Sequence, residues 1–213
     1  MPITTITQEF DFGGQPILLR MPVESTVQAT FLEDQQRGAQ PVFPYWAKLW
    51  PAAIGLCQYL ETKKDMLRGK TVLEMAAGLG LPSLVTARHA SRVICSDYMT
   101  EAVEMAKESA RLNHLNNIDC RVINWCQFPA ELVPDVVIMS DINYDPSQFE
   151  ILQQLLLSLL QQGVVLVLST PQRMMGKPFI ESLLPFCREK LTSHVETRHG
   201  TEEIFIMQLQ LND

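Results

Sequence analysis

The sequence predicts an α/β fold: a doubly wound, mostly parallel sheet with helices on both faces. Three observations carry that prediction. From Lys70 onward, strand-like runs alternate with helix-like runs, the order required by a sheet whose strands are joined through crossover helices. Two runs, Val136-Val137-Ile138-Met139 and Val164-Val165-Leu166-Val167-Leu168, are continuously apolar, as strands covered on both faces are. The chain closes on two strand-like runs around His199-Gly200-Thr201, a hairpin signal that makes the last pair of strands antiparallel.

The elements follow in chain order. Ile6–Phe12 and Ile17–Met21 flank Gly13-Gly14 and predict an N-terminal β-hairpin. Residues 24–40 are polar, with Gln35-Gln36-Arg37-Gly38 as the expected loop. Residues 1–40 thus form a hairpin-and-loop extension, and residues 41–213 a single globular unit. Pro41 to Pro51 is an aromatic, proline-rich lead into a helix; Pro51 suits a first helical position, and Ile54, Leu56, Cys57, Tyr59 and Leu60 give that helix its apolar side. Strands are expected at Thr71–Met75, Arg92–Cys95, Cys120–Asn124, Asp135–Ser140 and Gly163–Ser169. Helices are expected between and after them at Leu81–His89, Thr100–Asn113, Ser147–Gln161 and Lys177–Glu189. The closing hairpin spans Ser193–Arg198 and Glu203–Leu209.

Bulk properties narrow the function. The 213 residues suit one domain, and 46% hydrophobic against 19% charged residues is a globular balance. A net charge of -7 argues against nonspecific attraction to nucleic acid or an anionic membrane. The five cysteines include no C-x-x-C pair, which favours neither a disulfide framework nor a zinc site. The first ten residues lack a basic start followed by an apolar run, so no signal peptide is expected, and the longest apolar runs are too short to span a bilayer. A cytoplasmic protein fits these features. The four histidines show no metal-ligand spacing, and neither a nucleophile elbow nor a Walker loop occurs.

The chemistry concentrates after the first strand of the alternating region. Gly78 and Gly80 let the backbone turn tightly and approach a ligand. The helix starting near Leu81 directs its amino end to the same place. Gly78-x-Gly80-x-x-Ser83 is a near match to the dinucleotide fingerprint, but Glu74 sits on the strand just before the turn. A carboxylate there is unfavourable beside a pyrophosphate and favourable beside the ammonium and sulfonium of S-adenosylmethionine. Asp97, after the second strand, can accept hydrogen bonds from both ribose hydroxyls. Either acid alone is more often a solvated strand end; their placement after successive strands argues against that.

Glu74-Met75-Ala76-Ala77-Gly78-Leu79-Gly80 resembles the first motif of the seven-strand S-adenosylmethionine-dependent methyltransferases, with Ala76 where typical versions carry glycine. The resemblance implies a Rossmann-like seven-stranded sheet with an antiparallel C-terminal pair. Pro44-Tyr45-Trp46-Ala47-Lys48-Leu49-Trp50-Pro51 resembles the lead-in segment of methyltransferase family 16, which includes many protein-lysine methyltransferases, and in particular the branch acting on the electron-transfer flavoprotein beta subunit. Asp141-Ile142-Asn143-Tyr144 matches that family's D-x-x-Y mark, and Thr170-Pro171-Gln172-Arg173 resembles its arginine-bearing segment. The resemblance covers roughly residues 40–175. It implies a donor site of Trp46, Glu74, Ala76, Gly78, Gly80, Asp97, Tyr98, Trp125 and Ser140. Trp46 is favoured slightly over Trp50 as a wall of the site. Simple packing competes with a binding role for Trp46, Tyr98 and Trp125.

Methyl transfer is an in-line displacement in which the enzyme mainly aligns nucleophile and methyl. A lysine nucleophile must first lose its proton, its unperturbed pKa being about 10.4. Asp141 is the candidate to attract and hold the cationic amine and accept its proton. Tyr144 is the candidate to wall or hydrogen-bond that amine, with core packing as the alternative. Asp145 before Pro146 is the better helix cap, which leaves Asp141 free. Arg173 is read as binding substrate or a neighbouring carboxylate, or as a solvated loop residue. The expected function is methyl transfer to a lysine side chain of a protein. The alternatives are a small-molecule N-methyltransferase and a non-catalytic donor-binding module. A nucleic-acid substrate is not expected: the chain is acidic, and no Asn-Pro-Pro-Tyr-type motif follows the fourth strand. Neither the acceptor's identity nor an oligomeric state follows from the sequence.

Overall fold

The alternating runs fold into a sheet threaded by helices in the computed structural model, which describes residues 3–211. Met1 and Pro2 of the 1–40 segment, and Asn212 and Asp213 of the 41–213 segment, lie outside the described residues. Strands β1 (Thr5–Phe12) and β2 (Gln15–Pro22) form the expected antiparallel hairpin around Gly13-Gly14.

Helix α1 (Glu24–Gln36) then occupies most of the polar stretch, which the sequence assigned only to a hairpin-and-loop extension. Its only buried residue is Val27, so it lacks the recurrent apolar stripe by which a helix is recognised. It stops where the loop was expected: Gly38 adopts φ 84°, and the Ala39 amide returns to the Asp34 carbonyl at 3.0 Å. Pro51 opens α2 (Pro51–Thr62), and a one-turn helix α3 (Lys64–Leu67) follows.

The alternating region supplies β3 (Thr71–Met75), α4 (Leu81–Thr86), β4 (Arg92–Asp97), α5 (Thr100–Leu112), β5 (Ile118–Val122), β6 (Val136–Ser140), α6 (Phe149–Gln161), β7 (Val165–Pro171) and α7 (Lys177–Leu183). The chain finishes with β8 (Cys187–Thr197) and β9 (Gly200–Leu209). The helix expected over Lys177–Glu189 ends at Leu183, because Pro185 cannot continue the ladder and Cys187–Glu189 already belong to β8.

The seven strands are ordered β5-β4-β3-β6-β7-β9-β8. The first five are parallel; β9 runs antiparallel to β7, and β8 antiparallel to β9. Side chains alternate between the faces with the strand period of two. Leu73, Met75, Val137 and Met139 pack with Leu152, Leu156 and Leu160 of α6 and Phe179 and Leu183 of α7. Val72, Val136, Ile138 and Val167 pack with Leu56, Tyr59 and Leu60 of α2. Phe12, Ile17, Leu19 and Met21 of the hairpin share a cluster with Cys57, Leu84 and Met105, so the N-terminal strands cover helices α2, α4 and α5. Chain order reverses between β3 and β6, and the carboxyl ends of these neighbours diverge into a crevice.

Candidate active site

That crevice is an open-mouthed cavity of about 1040 Å³, its mouth included, at the carboxyl ends of β3, β4, β6 and β7. Of the residues assigned from sequence, Trp46, Ala76, Gly78, Gly80, Asp97, Tyr98, Trp125, Ser140, Asp141 and Tyr144 line it, as do Trp50 and Arg173. Residues from six separate chain segments therefore meet in one place.

The end beside β3 and β4 is built from backbone and small residues. Gly78 and Gly80 have φ 53° and 74°. A Cβ on Gly80 would come to 3.0 Å from Cys95 Sγ and 3.1 Å from Ala106 Cβ, so together with the left-handed backbone any other residue there is crowded and strained. Ala76 also sits in the left-handed region, at φ 51°. The turn thus follows a glycine-like path with alanine in place, at a cost of about 1–2 kcal/mol. Asp97 is buried, its Oδ2 accepting the Gly78 amide and its Oδ1 the Met99 amide, both at 2.9 Å. Burial pushes its carboxyl above the ordinary value, and the Met99, Gly78 and Tyr98 amides pull it back. Each oxygen keeps a second lone pair for a hydroxyl donor.

Glu74 departs from the expected arrangement. It is fully buried beneath the turn and is not part of the cavity wall. Its Oε2 accepts the Ser83 amide at 2.8 Å, while Oε1 has no partner among the described residues. Burial pushes this carboxyl up to about 8, against the hydrogen bonding from Ser83. The sequence placed a charged carboxylate against the ligand; the structure buries this carboxyl behind the loop, because β3 turns its even-numbered side chains into the α2 face of the sheet.

The end beside β6 and β7 is built from side chains. Asp141, like Ala76, has a left-handed backbone, φ 54°, and its carboxylate is buried. Arg173, 32 positions on, grips it in a two-point fork: Nη2 donates to Oδ2 at 2.8 Å and Nη1 to Oδ1. Burial raises the Asp141 carboxyl, and Arg173 lowers it. Tyr144 stands 5.1 Å from the ring of Tyr45, and burial holds its phenol up at about 12. Asp145 caps the turn into α6 through the Ser147 amide at 3.0 Å, as expected, which leaves Asp141 out of that role. Trp46 and Trp50 both line the cavity but at opposite ends. The Trp46 carbonyl lies 3.4 Å from where a Gly78 Cβ would be, whereas Trp50 faces Arg173 and Lys48.

Sequence reasoning passed over four residues here. Tyr45 and Lys48 line the cavity and belong to the Pro44–Pro51 segment, whose tryptophans alone drew notice. Met175 lines the mouth without a sequence signal. Asn143, inside D-x-x-Y, is buried and accepts the Thr170 hydroxyl at 2.7 Å, tying the loop after β6 to the end of β7. No group of acidic, histidine and cysteine side chains suited to a metal ion occurs among the described residues.

The family pattern described as lysine methyltransferase matches residues 44–185 of this chain. Histone-arginine methyltransferase METTL23 of Homo sapiens is 31% identical over 108 residues, 48% of this chain and 57% of that protein. Protein N-lysine methyltransferase METTL21A of Xenopus tropicalis is 33% identical over 132 residues, covering 60% and 61%. The electron transfer flavoprotein beta subunit lysine methyltransferase of Homo sapiens is 31% identical over 112 residues, covering 52% and 42%. The chain spans about half the length of the curated relatives it matches. A 16S rRNA methyltransferase of T. thermophilus, solved with AdoMet and guanosine, superposes with TM-score 0.65 at 16% identity over 98% of this chain and 52% of that one. The N-methyltransferase NodS of Bradyrhizobium japonicum, solved with S-adenosyl-L-homocysteine, gives 0.59 at 16% over 72% and 85%. At these identities the two structures speak for the fold alone.

Proposed function

The chain belongs to the lysine methyltransferase family, and from that premise we propose that it is an S-adenosylmethionine-dependent enzyme that methylates a cationic side chain of a protein, a lysine in the first instance. One observation carries the reading: a single cavity joins a glycine turn and Asp97 at one end to Asp141 and Tyr144 at the other.

The cavity fits the donor. Asp97 has lone pairs for ribose hydroxyls, the glycine turn leaves no Cβ in the way, and Glu74 Oε1 is a buried polar atom without a partner among the described residues, close behind. Trp46, Tyr98 and Trp125 would wall it, with Ala76 and Ser140 below. When bound, the donor supplies a methyl group on a sulfonium. Asp141 then holds the acceptor nitrogen in line and takes its proton, while Tyr144 and Trp50 face the cation. The relatives named for lysine and for arginine methylation support a cationic protein side chain as acceptor.

The rim supports a protein rather than a metabolite. Phe43 and Tyr45 are each 43% exposed, Met175 55% and Met174 92%, more apolar surface than an isolated pocket needs. All five cysteines are free, which supports a reducing, cytoplasmic setting. No helix among the described residues is long and apolar enough to cross a membrane. The shared core of hairpin and helices supports treating segment 1–40 as an extension of the 41–213 unit.

Incubation with methyl-labelled S-adenosylmethionine and a cell lysate tests the proposal. Label is expected in protein and, after hydrolysis, in methyl-lysine. Label confined to small molecules would point to the metabolite reading, and label in methyl-arginine would reassign the acceptor.

A further inference from the structure

Among the described residues two carboxylates line the cavity. Asp97 lies at the glycine-turn end, each oxygen already accepting one backbone amide, and both oxygens of Asp141 are held by Arg173. The guanidinium that does this is cationic, planar and carried by the protein itself. Its Cζ lies 6.0 Å from the Trp50 ring centroid, within reach of a cation–π contact. The Asp141 carboxylate, the nearby Tyr144 and the face of Trp50, which Lys48 shares at 4.5 Å, together make a site for a cationic side chain, and Arg173 is the cation that grips the carboxylate.

We propose that Arg173 is a displaceable occupant of the acceptor's cation site, holding Asp141 until the side chain of the substrate takes its place. This rests on reading the cavity as a methyl-transfer site. Arg173 is well placed to leave. It lies beyond the end of β7, its side chain is 32% exposed, and its neighbour Met174 is 92% exposed. Exchange of one cation for another keeps the buried carboxylate compensated at each end state, so it avoids leaving a lone buried charge. A neutral or anionic molecule offers no such exchange, which makes the pair a filter for cationic acceptors. Arg173 also lowers the Asp141 carboxyl, so its departure makes Asp141 the better proton acceptor when the substrate amine arrives.

The opposing account makes Arg173 a fixed strut that positions Asp141. The two differ in the sign of the effect when Arg173 is removed. The probe is n-butylammonium, which carries the lysine head group on its chain, titrated by tryptophan fluorescence into the wild type, Arg173→Met and the double variant Asp141→Asn/Arg173→Met. S-adenosylhomocysteine binding by calorimetry reports the integrity of the rest of the cavity. Displacement predicts that Arg173→Met binds butylammonium about tenfold more tightly than the wild type, that millimolar guanidinium competes for the vacated place, and that the double variant loses the gain. Equal or weaker butylammonium binding by an Arg173→Met protein that still binds S-adenosylhomocysteine overturns the proposal. If Arg173→Met does not fold, Arg173→Lys serves instead: its single-point grip predicts affinity above the wild type, and wild-type affinity contradicts the proposal. A wild type that fails to bind S-adenosylhomocysteine would sink the methyltransferase reading instead.

Discussion

The two ends of the cavity are built in opposite ways. The end at β3 and β4 is made of backbone: two left-handed glycines, a left-handed alanine and an aspartate locked by two amides. The end at β6 and β7 is made of side chains, with an arginine–aspartate fork, two aromatic rings and exposed methionines at its mouth. A ligand of constant shape suits the first, since backbone amides cannot be rearranged. A variable acceptor suits the second, where ion pairs can be exchanged and long side chains moved. On the proposed function, that difference makes donor binding and acceptor choice separable in this molecule.

The largest expected effect breaks the pair at the acceptor end. Asp141→Ala removes the group proposed to hold the nitrogen and take its proton, and methyl transfer should fall by about 10²–10⁴-fold in a single-turnover assay. Donor affinity should stay unchanged. Full activity in this variant would end the role assigned to Asp141. Next is Asp97→Ala at the other end. It removes the acceptor of two amides and the proposed acceptor of the ribose hydroxyls, and donor affinity should drop about 100-fold. Wild-type affinity there would mean that the turn holds the donor without it.

A smaller effect concerns Glu74. The folded chain holds this proton at about 8, against 4.5 for the ordinary carboxyl. The stability it contributes is complete below the ordinary value and is lost as pH rises through the folded one, at no more than about 1.4 kcal/mol per pH unit. Denaturant titrations across that window should therefore show the wild type losing stability with pH and Glu74→Gln losing less. Parallel curves would contradict the burial assigned to Glu74. The smallest effect is that of Ala76→Gly. It relieves the left-handed alanine but loosens the unfolded chain, so stability should change by about 1 kcal/mol or less, with donor binding retained.

The same contrast explains what the sequence made legible. The cavity end proposed for the donor is written in seven consecutive residues, Glu74 to Gly80, plus one acid at the next strand's end, and local spacing suffices to propose it. The doubly wound sheet and both hairpins follow from alternation and turn signals just as local, whereas the count of seven strands came from the family resemblance and their order only from the structure. The acceptor end depends on Asp141 meeting Arg173 across two strands, and no local pattern encodes that meeting. Helix α1 escaped notice because Val27 alone is buried on it. Glu74 was found, but its direction depends on which face of β3 lies under α2, a matter of packing rather than spacing.

The separation of the two ends is tested most directly by calorimetric titration of S-adenosylhomocysteine into the wild type, Asp141→Ala and Asp97→Ala. The account predicts one-to-one binding by the wild type, the same affinity in Asp141→Ala, and severe loss in Asp97→Ala. Equal loss in both variants, or no binding by the wild type, would contradict it.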